Sequence, residues 1–386
     1  MKKSVTSESF QPDLIINSPG RINLIGEHTD YNMGFVFPAA IDRSIEFKIR
    51  RNDEKHISNV YSVDYEKLLS FRLDQVQPSE EEWENYILGV IHEIQKLGHQ
   101  FPGFDCQLRS DLPIGAGISS SAAMECGIAY AINELFSLGM SKMEIILASQ
   151  RAEHNFVGTQ CGIMDQYASV MGQENQALLL DCREISHELI PLKTDPYSLI
   201  LLNTNVSHNL ADSGYNSRKA DCESGVEMLQ KAGMNIASLR DVSTEQLERH
   251  KDMLPEVIFR RCLYVVQENE RVLQAAAALK RNDLSRFGAL LYQSHEGLRS
   301  QYEVSCPELD FLVDFSKSNS SVLGSRMMGG GFGGCTINLI RSEELENYTE
   351  EVSDAYKKTF GIALDPIRIR PSKGTSRVDV QLDKII

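Results

Sequence analysis

The sequence predicts an α+β fold in two domains, and three observations predict it. At 386 residues the chain is longer than one hydrophobic core usually serves, so two domains are expected. Hydrophobic residues make up 42% and charged residues 24%, the balance of an ordinary globular protein with enough apolar side chains for both cores. Strand-like and helix-like segments also follow one another without the steady βαβ alternation of a doubly wound sheet.

Taken in order, residues 1–10 read as a frayed arm. Residues 13–16 read as a strand and residues 18–23, with Pro19 and Gly20, as a turn leaving it. The runs FVFPAAI and SIEFKIR are short, β-branched and aromatic, which predicts two further strands. Apolar residues at 83, 87, 90, 91, 94 and 97 share one face of a helix. Residues 105–109 alternate as a strand does. After a glycine turn at 115–117 comes a small-residue helix over about 119–136. Ser141 with Glu144 forms a capping box for a helix to about Phe156. The polar stretch 193–196 ends in proline and marks the domain boundary, giving domains 1–196 and 197–386. Beyond it, 199–203 reads as a strand, the stretches near 215–234, 256–280 and 283–301 as helices, and the glycine cluster 329–334 leads into a strand, CTINLI.

The bulk numbers also exclude some functions. A formal net charge of −15 argues against nucleic acid or an anionic membrane as a partner by bulk attraction, although a site can be locally basic. None of the eight cysteines forms a CxxC pair or a zinc-like Cys/His cluster; buried thiols of a reducing compartment explain them. No apolar run reaches the ~18 residues of a membrane-spanning helix. The N-terminal stretch lacks the apolar core of a signal peptide. The expectation is a cytoplasmic protein.

Four segments carry chemistry. Residues 18–31, SPGRINLIGEHTDY, bring Arg21, Glu27, His28 and Asp30 together, with Ile22, Leu24 and Ile25 between them. Charges in a half-buried segment need partners, so the stretch is either a structural polar network or a site for a polyhydroxylated ligand. Residues 112–123, LPIGAGISSSAA, combine glycines that permit sharp turns with serines that open a helix, whose N-terminus attracts phosphate. It is not a Walker motif, and an ordinary loop with an N-cap also accounts for it. Residues 153–171 hold Glu153, placed late in a helix where a carboxylate calls for a cation, and Asp165 among apolar neighbours. Glu153 also fits a plain surface residue, and Asp165 fits a general base or a cap. Finally, five glycines in the six positions 329–334 are costly to order. Tight packing, close approach of a ligand or a plain hairpin would explain them.

Together the four segments resemble the galactokinase family, part of the wider group of homoserine, mevalonate and phosphomevalonate kinases. SPGRINLIGEHTDY is similar to the galactokinase signature, CGIMDQY to its base motif, and LPIGAGISSSAA and GGGFGGC to the nucleotide-loop and C-terminal motifs of the group. They occur in family order across residues 18–336. The resemblance implies two α+β domains with the active site between them. It also implies ATP-dependent phosphorylation of galactose at O1, the entry step of galactose catabolism. The alternatives are a kinase for N-acetylgalactosamine or arabinose, or a non-catalytic galactose sensor. Intact Ser120-Ser121-Ala122-Ala123, Asp165 and Arg21 favour catalysis over sensing. By the same resemblance Asp165 is the base, with Arg21 beside it. Glu27, His28, Thr29, Asp30, Gly162 and Tyr215 hold the sugar. Gly115, Ala116, Gly117, Ile118, Ser119, Ser120 and Ser121 cradle ATP, and Ser62 touches its adenosine side. Ser121 and Glu153 hold Mg²⁺. The partners are then a small sugar and ATP, acting on a monomer. Met33 and the pair His208-Asn209 depart from the family pattern at the edge of the sugar pocket.

Overall fold

The computed structural model describes residues 4–113, 115–207 and 211–378, so His208 and Asn209 lie outside the described residues. In chain order the first half contains β1 (Leu14–Asn23), β2 (Phe35–Val36), β3 (Pro38–Arg51), β4 (Ile57–Ser62), β5 (Lys67–Arg72), α1 (Glu82–Lys96), β6 (Phe104–Ser110), α2 (Ser120–Phe136), α3 (Lys142–Ala152), α4 (Met164–Met171), β7 (Gln176–Asp181) and β8 (Ser186–Pro191). There follow β9 (Tyr197–Ser207), α5 (Ala211–Lys231), α6 (Thr244–Arg249), α7 (Glu256–Lys280), α8 (Leu284–Ser300), α9 (Pro307–Lys317), β10 (Val322–Met327), β11 (Gly333–Arg341), α10 (Leu345–Phe360), β12 (Asp365–Arg368) and β13 (Ser376–Arg377).

The strands form a six-stranded sheet in the order β13-β1-β3-β6-β4-β5, a four-stranded sheet in the order β10-β11-β9-β12, and a three-stranded sheet in the order β2-β7-β8. Among the described residues only β4 and β6 run parallel; the other strand pairings are antiparallel, as suits an α+β fold. Helices α1–α4 bury their apolar faces on the first sheet in one large core, which extends to Ile337 and Leu339 of β11. A second core gathers around α5, α7 and α8, and a third lies between the second sheet and α10. Among the described residues no helix is long and apolar enough to cross a membrane.

Four local expectations need correction. Residues 18–23 are not a turn: β1 runs through them, and its register against β3 shifts between Pro19 and Arg21. The shift is a bulge, which tolerates the proline that lacks an N–H and re-aims the next side chain. FVFPAAI and SIEFKIR do not make two separate strands. Most of both belongs to the 14-residue β3, because the polar Asp42 in its middle pairs its N–H with the carbonyl of Arg370 instead of turning. The N-terminal arm is tied down: Val5 and Phe10 are buried, Gln107 Nε2 donates to the carbonyls of Val5 (2.6 Å) and Ser7 (3.0 Å), and the Arg50 guanidinium lies 4.4 Å from the Phe10 ring centre. Two apolar residues are too few to give a periodic signal. Finally, α3 does not run as α-helix to Phe156. It opens with the expected capping box on Ser141 and Glu144, but residues Glu153–Val157 form a π-helical turn, a feature that often marks functional sites.

Candidate active site

The bulge in β1 sets the geometry. Arg21, just after it, donates its backbone N–H to the Ile118 carbonyl at 3.0 Å and its Nη1 to the Gly117 carbonyl at 2.7 Å. The strand thereby holds the glycine loop in front of α2. Gly115 and Gly117 have φ of +73° and +69°; a Cβ would meet open space at the first and only the Met328 carbonyl oxygen at 3.6 Å at the second, so the loop needs their left-handed backbone and not merely their small size. Ser119 at the N-cap of α2 is also left-handed, with φ 59°, and makes no capping bond. Its hydroxyl bonds the carboxylate of Asp165. The N-terminal N–H groups of the 17-residue α2 keep their capacity for an anion.

Asp165 lies in the first turn of α4. Arg21 clamps it with Nε on Oδ1 at 2.7 Å and Nη2 on Oδ2 at 2.8 Å. Such a fork is directional as well as strong. Arg21 is buried and Asp165 is 26% exposed, facing the cavity. Across that cavity stands Asp30. Its carboxyl packs so closely on Gly162 that a Cβ there would sit 2.0 Å from Oδ2, which explains the glycine. Burial, and then the nearby Asp165, push the Asp30 carboxyl up to about 7.

Glu27 is buried and well provided with donors. Oε1 accepts from Arg326 Nη2 (3.0 Å) and the Gly329 N–H (2.8 Å), and Oε2 from Asn23 Nδ2 (3.0 Å). Four lone-pair positions less three bonds leave one free for a ligand. Its neighbour His28 is left-handed, with φ 64°, and its ring lies among those of Tyr31, Tyr215 and Tyr302. Burial lowers the imidazole to about 3, so it is neutral. Thr29 does not reach the cavity wall: its hydroxyl bonds the carbonyls of Gly26 and Phe35 and ties off the turn.

Glu153, at the start of the π turn, is buried. It takes hydrogen bonds from Gln166 Nε2 at 2.7 Å, Cys161 Sγ at 3.6 Å and Ser121, and it lies against the buried carboxyl of Glu125. Burial and then Asp165 raise its carboxyl to about 7. Behind it, Glu125 is wholly buried in α2 and takes Gln166 Nε2 on one oxygen at 3.1 Å; burial and the neighbouring Glu153 raise its carboxyl well above the usual range.

Three cavities result. One of ≈ 260 Å³ is lined by Glu27, His28, Asp30, Glu153, Gly162 and Tyr215. A second, ≈ 420 Å³, is lined by Gly115 to Ser121 and the hairpin 328–334. The two share Arg21, Asp165 and Gly329–Gly331 as a common wall. A third, more apolar cavity of ≈ 230 Å³ adjoins the second through Tyr86, Ser120 and Ser121 and contains Ser62, Tyr65 and Trp83. A small polar chamber thus meets a glycine-lined, helix-capped chamber at a carboxylate clamped by arginine. That arrangement suits transfer of an anionic group onto a polyol.

Known proteins match this chain along most of its length. Residues 4–51 match the galactokinase galactose-binding signature, residues 85–173 the GHMP kinases N terminal domain, and residues 275–358 the GHMP kinases C terminal domain. The galactokinase of Roseiflexus sp. (strain RS-1) is 42% identical over 369 residues, 96% of this chain and 94% of that protein. The chain belongs to the galactokinase family. The galactokinase of Thermotoga maritima is 41% identical over 366 residues, 94% of this chain and 99% of that protein. A crystal structure of Lactococcus lactis galactokinase complexed with galactose superposes with a TM-score of 0.92 at 33% identity, covering 95% of each chain. A crystal structure of L. major mevalonate kinase in complex with R-mevalonate is similar in fold alone, with a TM-score of 0.59 at 18% identity, covering 97% of this chain and 99% of that one.

Of the residues assigned from the sequence to the base, the sugar, ATP or Mg²⁺, the galactokinase fold brings together all but Thr29 on the walls of these three cavities. The sequence reading missed Arg326, fully buried with its guanidinium on the carbonyls of Asn23, Leu24 and Met327 and on Glu27. It missed Glu125, though a glutamate inside the apolar run AAMECGIAYAI is a visible signal. It also missed Tyr86, and it read Trp83 only as part of a helix face.

Proposed function

We propose that this chain transfers the γ-phosphoryl group of ATP to the anomeric O1 of galactose, giving galactose 1-phosphate and ADP. The observation that carries the reading is the common wall: Arg21 and Asp165 line both the polyol chamber and the glycine-loop chamber. A sugar hydroxyl in the first and a terminal phosphate in the second would meet there.

In this reading the triphosphate lies along residues 115–121, where N–H groups at the start of α2 face its charge. The adenine enters the apolar cavity beside Ser62, Tyr65 and Trp83, whose indole N–H has no partner. Galactose is held by Glu27, His28, Asp30, Gly162 and Tyr215, while Thr29 serves the turn. Asp165 accepts the O1 proton as the oxygen attacks phosphorus in line. Arg21 fixes the carboxylate and faces the charge that spreads over the transferring group. Because the clamp fixes the carboxylate, orientation of O1 is a large part of its contribution.

Ser121 and Glu153 fit a Mg²⁺ ion. They offer a hydroxyl beside a buried carboxylate that Gln166 and Cys161 hold by hydrogen bonds. Among the described residues no group of three or more His, Cys, Asp and Glu is arranged to hold a metal, and Mg²⁺ carried on a triphosphate needs only one or two protein oxygens. When bound, it supplies neutralisation of the β- and γ-phosphate charge. We further propose a cytoplasmic monomer, with the domains meeting at residues 196/197; eight unpaired cysteines suit a reducing compartment.

The test is ADP release from ATP with a panel of free sugars. Galactose should be preferred over N-acetylgalactosamine, arabinose and glucose. ADP release with none of them, or preference for another, overturns the reading.

A further inference from the structure

Behind His28 lies a hydrogen-bond chain that the mechanism does not use. His28 Nε2 is 3.2 Å from the carbonyl oxygen of Gly330, and Nδ1 is 2.7 Å from the hydroxyl of Tyr31. That hydroxyl is 2.8 Å from the hydroxyl of Tyr302, which is 3.3 Å from Cys222 Sγ. Tyr302 and Cys222 are buried, and the Tyr302 ring packs tilted against its neighbours, its centre 4.8 Å from that of His28 and 4.7 Å from that of Tyr264.

The direction of the chain follows from its end. A carbonyl oxygen only accepts, so Nε2 must carry the hydrogen. In a neutral ring Nδ1 is then a bare acceptor, and the Tyr31 hydroxyl must donate to it. With its one hydrogen committed, Tyr31 oxygen accepts from Tyr302, whose own oxygen is left to accept from the Cys222 thiol. Burial supports this order, since it keeps the imidazole neutral and the two phenols and the thiol protonated. Reversing any link leaves two donors or two acceptors facing each other.

We propose that Tyr31 and Tyr302 are positioning residues for galactose binding, whose hydroxyls lock His28 as the Nε2–H tautomer and fix the angle of its ring. The one hydrogen on His28 Nε2 holds the carbonyl of Gly330, part of the wall common to both chambers, in a 3.2 Å contact that a sugar hydroxyl at the chamber can share as acceptor. A hydroxyl in reach of both His28 and Glu27 is recognised as acceptor to the first and donor to the second. The inference rests on the galactokinase reading for the identity of the ligand but not for the tautomer.

The experiment uses the full chain with ¹⁵N-labelled histidine. A long-range proton–nitrogen spectrum of the imidazoles reports each tautomer, and His28→Asn identifies the His28 signals by their loss. The wild type should give the neutral Nε2–H pattern. Tyr31→Phe should mix in the Nδ1–H form and raise KM for galactose about three- to tenfold, the effect of one lost hydrogen bond, with a smaller change in kcat. Tyr302→Phe keeps the contact with Nδ1 and should raise KM about two- to threefold; it serves if Tyr31→Phe does not fold. An Nδ1–H wild-type ring overturns the proposal, as does an unchanged spectrum and KM in the variants. An inactive wild type with the Nε2–H pattern would instead sink the galactokinase reading.

Discussion

Replacing Asp30 by asparagine should make the ligand-free protein more stable and the enzyme worse, and the stability gain should grow with pH. Burial and Asp165 lift the Asp30 carboxyl from 3.8 to about 7 in the folded chain. A carboxyl whose folded pKa is raised binds its proton more tightly when folded, so stability falls as pH rises from the unfolded value to the folded one and is flat above it. At 1.36 kcal/mol per pKa unit, ionised Asp30 costs the fold about 4 kcal/mol at pH 8.5. About half of this is already present at pH 5.5. Asparagine has the same shape and no charge, so its advantage should grow by about 2 kcal/mol between pH 5.5 and 8.5. For 386 residues the melting entropy is about 0.8 kcal/mol/K, and the gain amounts to about 2–3 °C in Tm. In the same variant kcat/KM for galactose should drop about 10- to 100-fold, because a charged acceptor for a sugar hydroxyl is gone. Scanning calorimetry of both proteins from pH 5.5 to 8.5 without ligand, with rates from coupled ADP release, makes the measurement. A thermal difference that does not change with pH, or a variant less stable at pH 8.5, refutes the electrostatic argument.

Other substitutions separate the remaining roles. Asp165→Asn should fold normally by circular dichroism and lose about 10²–10⁴ in kcat; near wild-type turnover would remove Asp165 as the group that takes the O1 proton. Glu153→Gln should raise the free Mg²⁺ needed for half-maximal rate about tenfold and leave galactose affinity alone, since an amide is a poorer ligand than a carboxylate for a hard cation. An unchanged Mg²⁺ titration would leave Glu153 as a purely structural buried acid. The wild type should prefer galactose to its C4 epimer glucose by about 10²–10⁴ in kcat/KM, and Tyr215→Phe should narrow that ratio about tenfold. A ratio that stays the same in the variant would move O4 recognition to Asp30.

The sequence made the mixed architecture and most helices legible because their signals are local. The face of α1 and the capping box of α3 depend only on residues a few positions apart. The site residues were legible because short motifs carry them. What stayed hidden depends on partners distant in sequence. The bulge at Pro19 exists only where β1 meets β3, and β13 exists only because the C-terminal segment returns to pair with β1. Arg326 looked like the edge of a glycine cluster, yet it closes the site from 299 positions away through Glu27. Thr29 shows the opposite failure: it lies within the signature motif, but its hydroxyl is turned onto the turn's own backbone. The π turn at Glu153 has no sequence signal that helix periodicity would register, although it sets where that carboxylate stands.

The central claim is that phosphoryl transfer occurs at O1 of galactose across the wall shared by the two chambers. The most direct test is to incubate the protein with ATP, Mg²⁺ and galactose labelled with ¹³C at C1, and to record the carbon spectrum of the product. The account predicts a C1 resonance split by coupling to phosphorus, with ADP formed in equal amount, and no product from 1-deoxygalactose. Phosphorus attached at O6, or ATP left intact while galactose binds, would contradict it.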